Sequence, residues 1–346
     1  MPGFMTHYIL GIKLYQEIPE NTLKESIHSH KNLFRLGLQG PDFLFVHPRA
    51  AIGKKGKNIG SRIHEEKVND FFCNMLLRAE EERNTLKKEM AIAYISGFLC
   101  HYIFDSTMHP YIYDAAGFDP YEPNSSAVSG AHAHLETLLD TWLIQYYKGR
   151  KSFQVRKAAI VVQLSLKEAE FLVRFLSESI NRTYYQGTGE KYGTTEKFVK
   201  NALILYRITC DLFHDTTGRK RRVLEGVERY TWKYPLVSSL IYPGRDPDKV
   251  EIMNLNHRVW SNPWDRSVVS TDSMFDLYKK AQDMGKKIFQ AFEEYLQPFY
   301  EGKEIERKRE QLLSIIGDKS YHSGLDCGIH INDWKIGEEQ DGKEKQ

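Results

Sequence analysis

The sequence has few cysteines and no closely spaced pair of them. Its four cysteines, Cys73, Cys100, Cys210 and Cys327, lie far apart along the chain. This spacing excludes a CxxC redox motif or a cysteine-rich zinc ribbon and indicates no disulfide framework, so we expect a reducing compartment. Cys100 lies in an apolar run, which predicts a small buried side chain.

The sequence also lacks an excess of either charge. Its 48 basic residues nearly balance 46 acidic ones, which gives a formal net charge of +2. Such a chain produces no overall field that would gather nucleic acid or an anionic membrane. Only local patches could do so.

No apolar run is long enough to cross a bilayer. The longest, residues 90–104, contains a glycine and a histidine, and it is shorter than the roughly 20 residues that a spanning helix needs. It predicts a buried core helix instead. The first residues lack the basic start and apolar stretch of a secretory signal. We therefore expect a cytoplasmic protein without a transmembrane segment.

Helical periodicity dominates the chain and predicts an all-α, multi-helix bundle. Its 346 residues are enough to bury a full core. We expect a single helical domain over residues 1–335, with a metal-site half, 1–147, and a helical extension, 148–335. Residues 336–346 are charged and lack apolar anchors, which predicts a disordered tail.

The individual helices follow from caps, breakers and apolar spacing. Pro110 is expected to end the central helix. Residues 230–265 form an irregular aromatic segment without the alternation of strands. The predicted helices cover residues 21–36 after an Asn cap, two stretches within 67–108 with a break near 83–86, and residues 131–147, 157–180, 194–212, 222–229 and 271–295.

The strongest chemical motif lies in the central helix, in GFLCHYIFDSTMHPYIY. His101, Asp105 and His109 follow one another at steps of four, which places them in a row on one helical face. Two imidazoles and a carboxylate are costly to bury in an apolar helix unless each finds a partner. A metal ion satisfies all three at once. A hydrogen-bonded structural cluster is the alternative.

A second motif, AHAHLETLLDTW, repeats this arrangement. His132 and Glu136 lie four residues apart, with His134 and Asp140 nearby. His-x3-Glu alone is a weak motif, common on solvated faces. Here the neighbouring leucines and Trp142 indicate that the helix packs against others, so the pair is not simply on a wet surface.

Three further candidates come from the first 65 residues. His7 precedes an apolar run in THYILG, and Asp42 follows Gly-Pro and precedes three large apolar residues in GPDFLF. A carboxylate among aromatics either caps a helix or binds a positive group. His64, in SRIHEEKVNDFF, lies at the start of a helix and by itself is as typical of a surface residue as of a ligand.

These stretches, in this order, resemble the bacterial zinc-dependent phospholipase C family, whose relatives include fungal zinc nucleases that cut single-stranded nucleic acid. The resemblance covers roughly residues 1–145 and rests on THY, GPDF, the following His, GFLCHYIFDSTMHP and HAHLE. It implies an all-α bundle with three zinc ions at the bottom of a cleft. Carried over by position, the resemblance implies one ion held by Asp42, His64, His101 and Asp105, a second held by His109, His132 and Glu136, and a third held by His7 and the bridging Asp105.

The sequence departs from the secreted family members at two points. Those members use a freed N-terminal Trp amine as a ligand, whereas this sequence starts with Met, and His7 lies close to it. The number of zinc ions is therefore two or three. The step from Asp105 to His109 is also shorter than in those members, so His134 is an alternative to His109 in the second site.

The predicted function is zinc-dependent hydrolysis of a phosphodiester, with a small phosphoester or a phospholipid as substrate. Zinc would lower the pKa of a bound water to about 7, and Asp42 would orient or deprotonate that water. No β-sandwich membrane-binding domain fits in the chain. The oligomeric state is left open.

Two alternatives remain at this stage. One is a non-catalytic, metal-stabilised binding protein. The other, which is less favoured, is a single-strand nuclease that uses the basic run 218–222 with Tyr230, Trp232 and Tyr234. A solvated basic helix start is the favoured explanation of that run. His214 and Asp215 lack the partners of a metal phosphohydrolase, and packing is the expected role of His257.

Overall fold

The architecture is that of a helical bundle with one small β-hairpin. The computed structural model describes residues 3–48, 58–122, 126–186, 193–232, 234–243, 252–297 and 303–327. Within these ranges almost all regular structure is helical, and the predicted all-α fold is confirmed. The tail predicted to be disordered lies outside the described residues, and the extent of the single domain stays a prediction.

The α-helices of the described ranges are numbered α1–α13 in chain order. They run Phe4–Glu17, Thr22–Ser29, Lys31–Gly37, Ile59–Glu65, Val68–Glu81, Thr85–Ala115, Ser126–Lys148, Ala158–Val161, Leu166–Tyr184, Glu196–Leu212, Arg219–Thr231, Met274–Tyr295 and Lys303–Ile316. Short 3₁₀ turns cover Asp42–Val46, Ser152–Gln154 and Ser238–Leu240. Strands β1, Trp260–Asn262, and β2, Asp265–Ser270, pair antiparallel.

Helix α6 is the central element. It is buried around nearly its whole circumference from Met90 to Ile112, as expected for a helix that is apolar on all sides. Helices α2, α3, α5 and α12 pack against it. Its approach to α3 is closest at Gly97, where an added Cβ would lie 2.1 Å from the carbonyl oxygen of Phe34. Only glycine allows the two backbones to meet there.

Several predicted helix boundaries are confirmed by their caps. The Asn21 side chain accepts a hydrogen bond from the Lys24 amide, and that of Asn84 accepts one from Lys87 at the break between α5 and α6. Each satisfies an amide that the first helical turn leaves without a partner. The predicted helices 21–36 and 157–180, however, are each two helices. Ser165 and Glu168 form a capping box that begins α9.

The prediction that Pro110 ends the central helix is wrong, because α6 continues to Ala115. Proline removes the amide that would bond the Ser106 carbonyl. In the structure Gly324 packs against that carbonyl, and a Cβ on Gly324 would lie 2.3 Å from its oxygen. Pro110 therefore lies in a closely packed part of the helix. A rule based on local sequence does not take such packing into account.

The prediction of no strands in residues 230–265 is also wrong. The hairpin is short, and β2 is largely exposed, so neither strand has room for a clear apolar alternation. The Asn262 side chain accepts a hydrogen bond from the Trp264 amide in the connecting turn. That local bond, typical of Asx turns, starts the reversal.

Two predictions from composition can be compared with the structure directly. All four cysteines are free, and Cys100 is fully buried, as predicted. No helix in the described ranges combines the length and the apolar character needed to cross a membrane.

Candidate metal centre

Helix α6 supplies three of the candidate ligands. His101, Asp105 and His109 are 0%, 3% and 7% exposed. Because they lie four residues apart on a continuous helix, their side chains point to the same side. The continuation of α6 past Pro110 keeps His109 in this row.

Helix α7 faces this row with two more donors. Glu136 Oε1 lies 3.0 Å from His109 Nε2 and 3.2 Å from His132 Nε2. The first distance joins α6 to α7, and the second joins residues one turn apart. His109, His132 and Glu136 therefore form one group of nitrogen and oxygen donors.

The first helix brings His7 to the same place. Its Nε2 lies 3.0 Å from Asp105 Oδ1. The start of α1 is held by Asp140, whose fully buried carboxylate accepts hydrogen bonds from the Met5 and Thr6 amides. Asp140 therefore orients the helix that carries His7, and it lies outside the predicted set of ligands.

Asp42 enters through the turn before the 3₁₀ segment Asp42–Val46. Gly40 in that turn has φ +49°, and an added Cβ would lie 2.1 Å from the ring of His101. A glycine is required both by the left-handed conformation and by the close approach. Asp42 Oδ1 reaches to 3.9 Å from His101 Nε2.

His64 on α4 completes the group of donors that also contains Asp42 and His101. Its Nδ1 lies 2.8 Å from the carbonyl oxygen of Gly60, and since a carbonyl only accepts, Nδ1 carries the proton. Nε2 is then the nitrogen that is free to bind, and it lies 3.4 Å from Asp42 Oδ1. This is how a carbonyl fixes the tautomer of a metal-ligating histidine.

Asp105 lies at the centre of the arrangement. Its Oδ1 faces His7 Nε2 at 3.0 Å and His109 Nε2 at 3.5 Å. Its Oδ2 faces His101 Nε2 at 3.0 Å and His64 Nε2 at 3.9 Å. One carboxylate therefore contacts imidazoles from all parts of the cluster, which is the position that a bridging ligand would need.

The electrostatics of the cluster couple its acids and bases. Burial alone would raise the carboxylate pKa values, but the neighbouring histidines lower that of Asp42 to about 2 and those of Asp105 and Glu136 well below normal. Burial opposes protonation of His109, but Asp105 and Glu136 raise its pKa to about 9. The carboxylates are ionised at neutral pH and attract positive charge.

The residues present fit a zinc site. Three sets of donors each gather within 4.8 Å: His7 with His101 and Asp105, Asp42 with His64 and His101, and His109 with His132 and Glu136. Glu136 Oε2 is buried and has no hydrogen-bond partner, an expensive state for a carboxylate unless a cation is bound. Imidazole and carboxylate donors without cysteine are typical of catalytic zinc.

The structure brings all eight predicted ligands into this one cluster, although their role as ligands stays a prediction. The alternative ligand, His134, belongs to none of the three donor sets. Its charged neighbours are Arg221 and Glu225, and burial is the main cause that lowers its pKa. The geometry therefore favours His109 over His134.

Other residues named from the sequence lie outside the cluster. Asp215 accepts hydrogen bonds from the Gly218 and Arg221 amides and so caps α11. His257 is exposed and lies 3.0 Å through Nδ1 from the Thr271 carbonyl oxygen, rather than packed in the interior.

Three residues at the centre were not predicted: Tyr113, Tyr321 and His322. His322 stacks on His64 with ring centroids 5.1 Å apart, and the Tyr321 carbonyl oxygen lies 2.9 Å from His109 Nδ1. Residues 318–327 carry no ligand-like spacing and lie more than 180 positions after Glu136. The one feature of the sequence that could have pointed to this segment is that residue 322 is a histidine, a residue type that often binds metals.

The fold and the site together define an all-helical protein with a buried centre of imidazoles and carboxylates suited to divalent metal ions. The chain belongs to the zinc dependent phospholipase C family, whose model matches residues 6–194. The resemblance inferred from the motifs is thereby confirmed. No curated protein and no solved structure matches the chain.

Proposed function

We propose that this protein is a zinc-dependent, phospholipase C-like phosphoric ester hydrolase that cleaves a phosphodiester. The observation that carries the proposal is Asp105, a buried carboxylate whose Oδ1 faces His109 and whose Oδ2 faces His101, imidazoles of different donor sets. A structural zinc site more often has four closed ligands rich in cysteine. A carboxylate shared between adjacent donor sets suits a multi-ion hydrolytic centre, in which neighbouring ions act on one substrate.

The proposed ligands are those implied by the family resemblance. Two or three zinc ions would be held by Asp42, His64, His101 and Asp105, by His109, His132 and Glu136, and by His7 with Asp105. When bound, zinc supplies positive charge that neutralises phosphate oxygens and makes a nearby water more acidic. Burial of the cluster strengthens these electrostatic effects by excluding bulk water.

Asp42 is the proposed catalytic carboxylate. Its side chain is 13% exposed, compared with 3% for Asp105 and 5% for Glu136, so it lies at the edge of the cluster. The neighbouring His101 and His64 lower its pKa to about 2 against the effect of burial. An ionised carboxylate of such low basicity accepts a hydrogen bond from water and orients it better than it retains a proton.

The experiment measures zinc by elemental analysis and turnover on the artificial diester bis(4-nitrophenyl) phosphate. We expect at least two zinc equivalents in the purified protein. Asp42→Asn should reduce turnover at least about 100-fold while zinc is retained, since a water-orienting group typically contributes about 10²–10⁴-fold. The matched control is Asp283→Asn, an exposed ion-paired residue on α12.

Turnover that survives in Asp42→Asn would remove this residue from the role. Zinc binding without turnover on diesters, phospholipids or single-stranded DNA would favour the alternative of a metal-stabilised binding protein. Preference for single-stranded DNA over lipid would favour the nuclease. The basic start of α11 gives that nuclease little support, because Lys220 Nζ and Arg221 Nη1 are hydrogen-bonded to nearby carbonyl oxygens.

A further inference from the structure

A C-terminal segment contacts both sides of the candidate metal centre. This segment, residues 318–327, lies outside the region that the family model matches and is called the clasp below. The Tyr321 amide donates to the His64 carbonyl at 2.9 Å. The Tyr321 carbonyl accepts from His109 Nδ1, also at 2.9 Å. A single residue of the clasp thus touches one histidine from each of two donor sets.

The contact with His109 determines which nitrogen of that ring can bind a metal. A carbonyl oxygen only accepts, so the proton lies on Nδ1. Nε2 is therefore the nitrogen that a metal could bind in place of a proton, and it faces Glu136 Oε1 and Asp105 Oδ1 at 3.0 and 3.5 Å. Without the clasp, His109 would lose the partner that fixes its tautomer and its ring orientation.

His322 lies between the same two imidazoles. Its ring is nearly parallel to that of His64, with an interplanar angle of 8° and a centroid distance of 5.1 Å. On its other neighbour, His109, the angle is 27° and the distance 6.0 Å. The ring therefore fills the space between a histidine of one donor set and a histidine of another.

Both nitrogens of His322 already face other side chains. Nδ1 lies 3.0 Å from the Tyr113 hydroxyl, and Nε2 lies 3.7 Å from Glu65 Oε1. His322 also belongs to none of the three donor sets. Its geometry is that of a residue that holds ligands in place rather than a ligand.

Further contacts hold the clasp against the bundle. Gly324, with φ +65°, approaches the Ser106 carbonyl so closely that a Cβ would lie 2.3 Å from its oxygen. Asn262 Nδ2, from the hairpin, donates to the Ser323 carbonyl at 2.8 Å. The Lys319 amide donates to the Tyr102 hydroxyl at 3.2 Å. The clasp therefore has a defined position against α6.

We propose that the clasp is an integral part of the metal centre and that His322 is a positioning residue, which keeps the imidazoles of His64 and His109 separated and correctly oriented for zinc. This inference rests on the zinc chemistry of the proposed function but not on any particular substrate. It extends the working site beyond the family-matched region, into a part of the chain that supplies no ligand of its own.

The test measures zinc affinity by competition with a chromophoric chelator, zinc stoichiometry, and the visible absorption spectrum of the Co²⁺-substituted protein. His322→Ala should weaken the affinity of at least one zinc about 10- to 100-fold, the usual effect of losing a group that supports a ligand. Gly324→Ala should do the same by forcing the clasp away from α6. His322→Phe keeps a planar ring and should recover most of the loss.

The control is Leu312→Ala, which removes a fully buried side chain from α13 next to the clasp in sequence. It should lower thermal stability without changing zinc affinity or the Co²⁺ spectrum. If His322→Ala does not fold, Gly324→Ala carries the test. Unchanged affinity and spectra in His322→Ala and Gly324→Ala would overturn the proposal, as would equal losses in His322→Ala and His322→Phe.

These outcomes are separable from those of the proposed function. A wild-type protein that binds zinc but hydrolyses no phosphodiester would contradict the proposed function, and the clasp variants would still report on zinc affinity. A wild-type protein that binds no zinc would contradict both proposals.

Discussion

The zinc-free protein should lose stability as the pH rises from 6.5 to 8.5. The perturbation is removal of metal with a chelator, followed by equilibrium unfolding in urea. The relevant group is His109, which is 7% exposed and whose pKa is raised by Asp105 and Glu136, against the effect of burial, to about 9. The raised pKa means that the folded protein stabilises the protonated ring. Folding stability is therefore greatest while the ring is charged.

The sign and size follow from proton linkage. The stabilisation is fully present below the unfolded-state pKa of about 6.5 and is lost as the pH rises through the folded value of about 9. The shift corresponds to on the order of 3 kcal/mol in total, of which roughly 2 kcal/mol should be lost between pH 6.5 and 8.5. His101, whose pKa is also raised by Asp105 and Asp42 despite burial, changes stability in the same direction.

The assay compares the free energy of unfolding at pH 6.5, 7.5 and 8.5 with chelator present. Asp42 adds nothing to this window, because its contribution is lost only as the pH falls through about 2. The control is His109→Gln, in which most of the slope should vanish. Zinc affinity of the wild type should rise over the same window, because the metal displaces the proton. A chelated protein with flat or rising stability would refute the reasoning, as would an unchanged slope in His109→Gln.

Two further substitutions test how the fold positions the centre. Asp140→Ala removes the buried carboxylate that accepts from the Thr6 amide and the Tyr242 hydroxyl. It should lower the free energy of unfolding by about 3 kcal/mol and also weaken zinc binding. Asp140→Asn should have a smaller effect on both quantities. Normal zinc affinity in Asp140→Ala would show that α1 needs no such anchor. Gly97→Ala places a Cβ 2.1 Å from the Phe34 carbonyl oxygen and should lower the midpoint of urea unfolding by the equivalent of about 3 kcal/mol, whereas an unchanged midpoint would mean that α3 and α6 can move apart freely.

The motif of the central helix could be read from the sequence because its geometry is local. Residues four apart on a helix share a face whatever surrounds it, so the row of His101, Asp105 and His109 follows from spacing alone. The same holds for His132 with Glu136. Caps such as Asn21 and the Ser165–Glu168 capping box are equally local.

Other features depend on contacts that no spacing reveals. Pro110 obeys the local rule for ending a helix, yet α6 continues to Ala115, and Gly324, more than 200 residues later, packs against the freed Ser106 carbonyl. No motif surrounds His322 in the sequence, and only the folded chain places its ring beside that of His64. The sequence likewise gives no role to Asp140, whereas in the structure its carboxylate accepts a hydrogen bond from the Met5 amide at the start of α1.

The sequence by itself determined the helical class, the central buried helix and the donor types suited to zinc, because periodicity and side-chain chemistry are properties of neighbouring residues. Only the tertiary structure shows that His7 faces Asp105 at 3.0 Å, that His109 rather than His134 lies beside Glu136, and that Tyr321 near the C-terminus contacts both His64 and His109. Those relations join residues far apart along the chain. They exist only because the packing of whole helices fixes the distances between them, and helical periodicity carries no information about such distances.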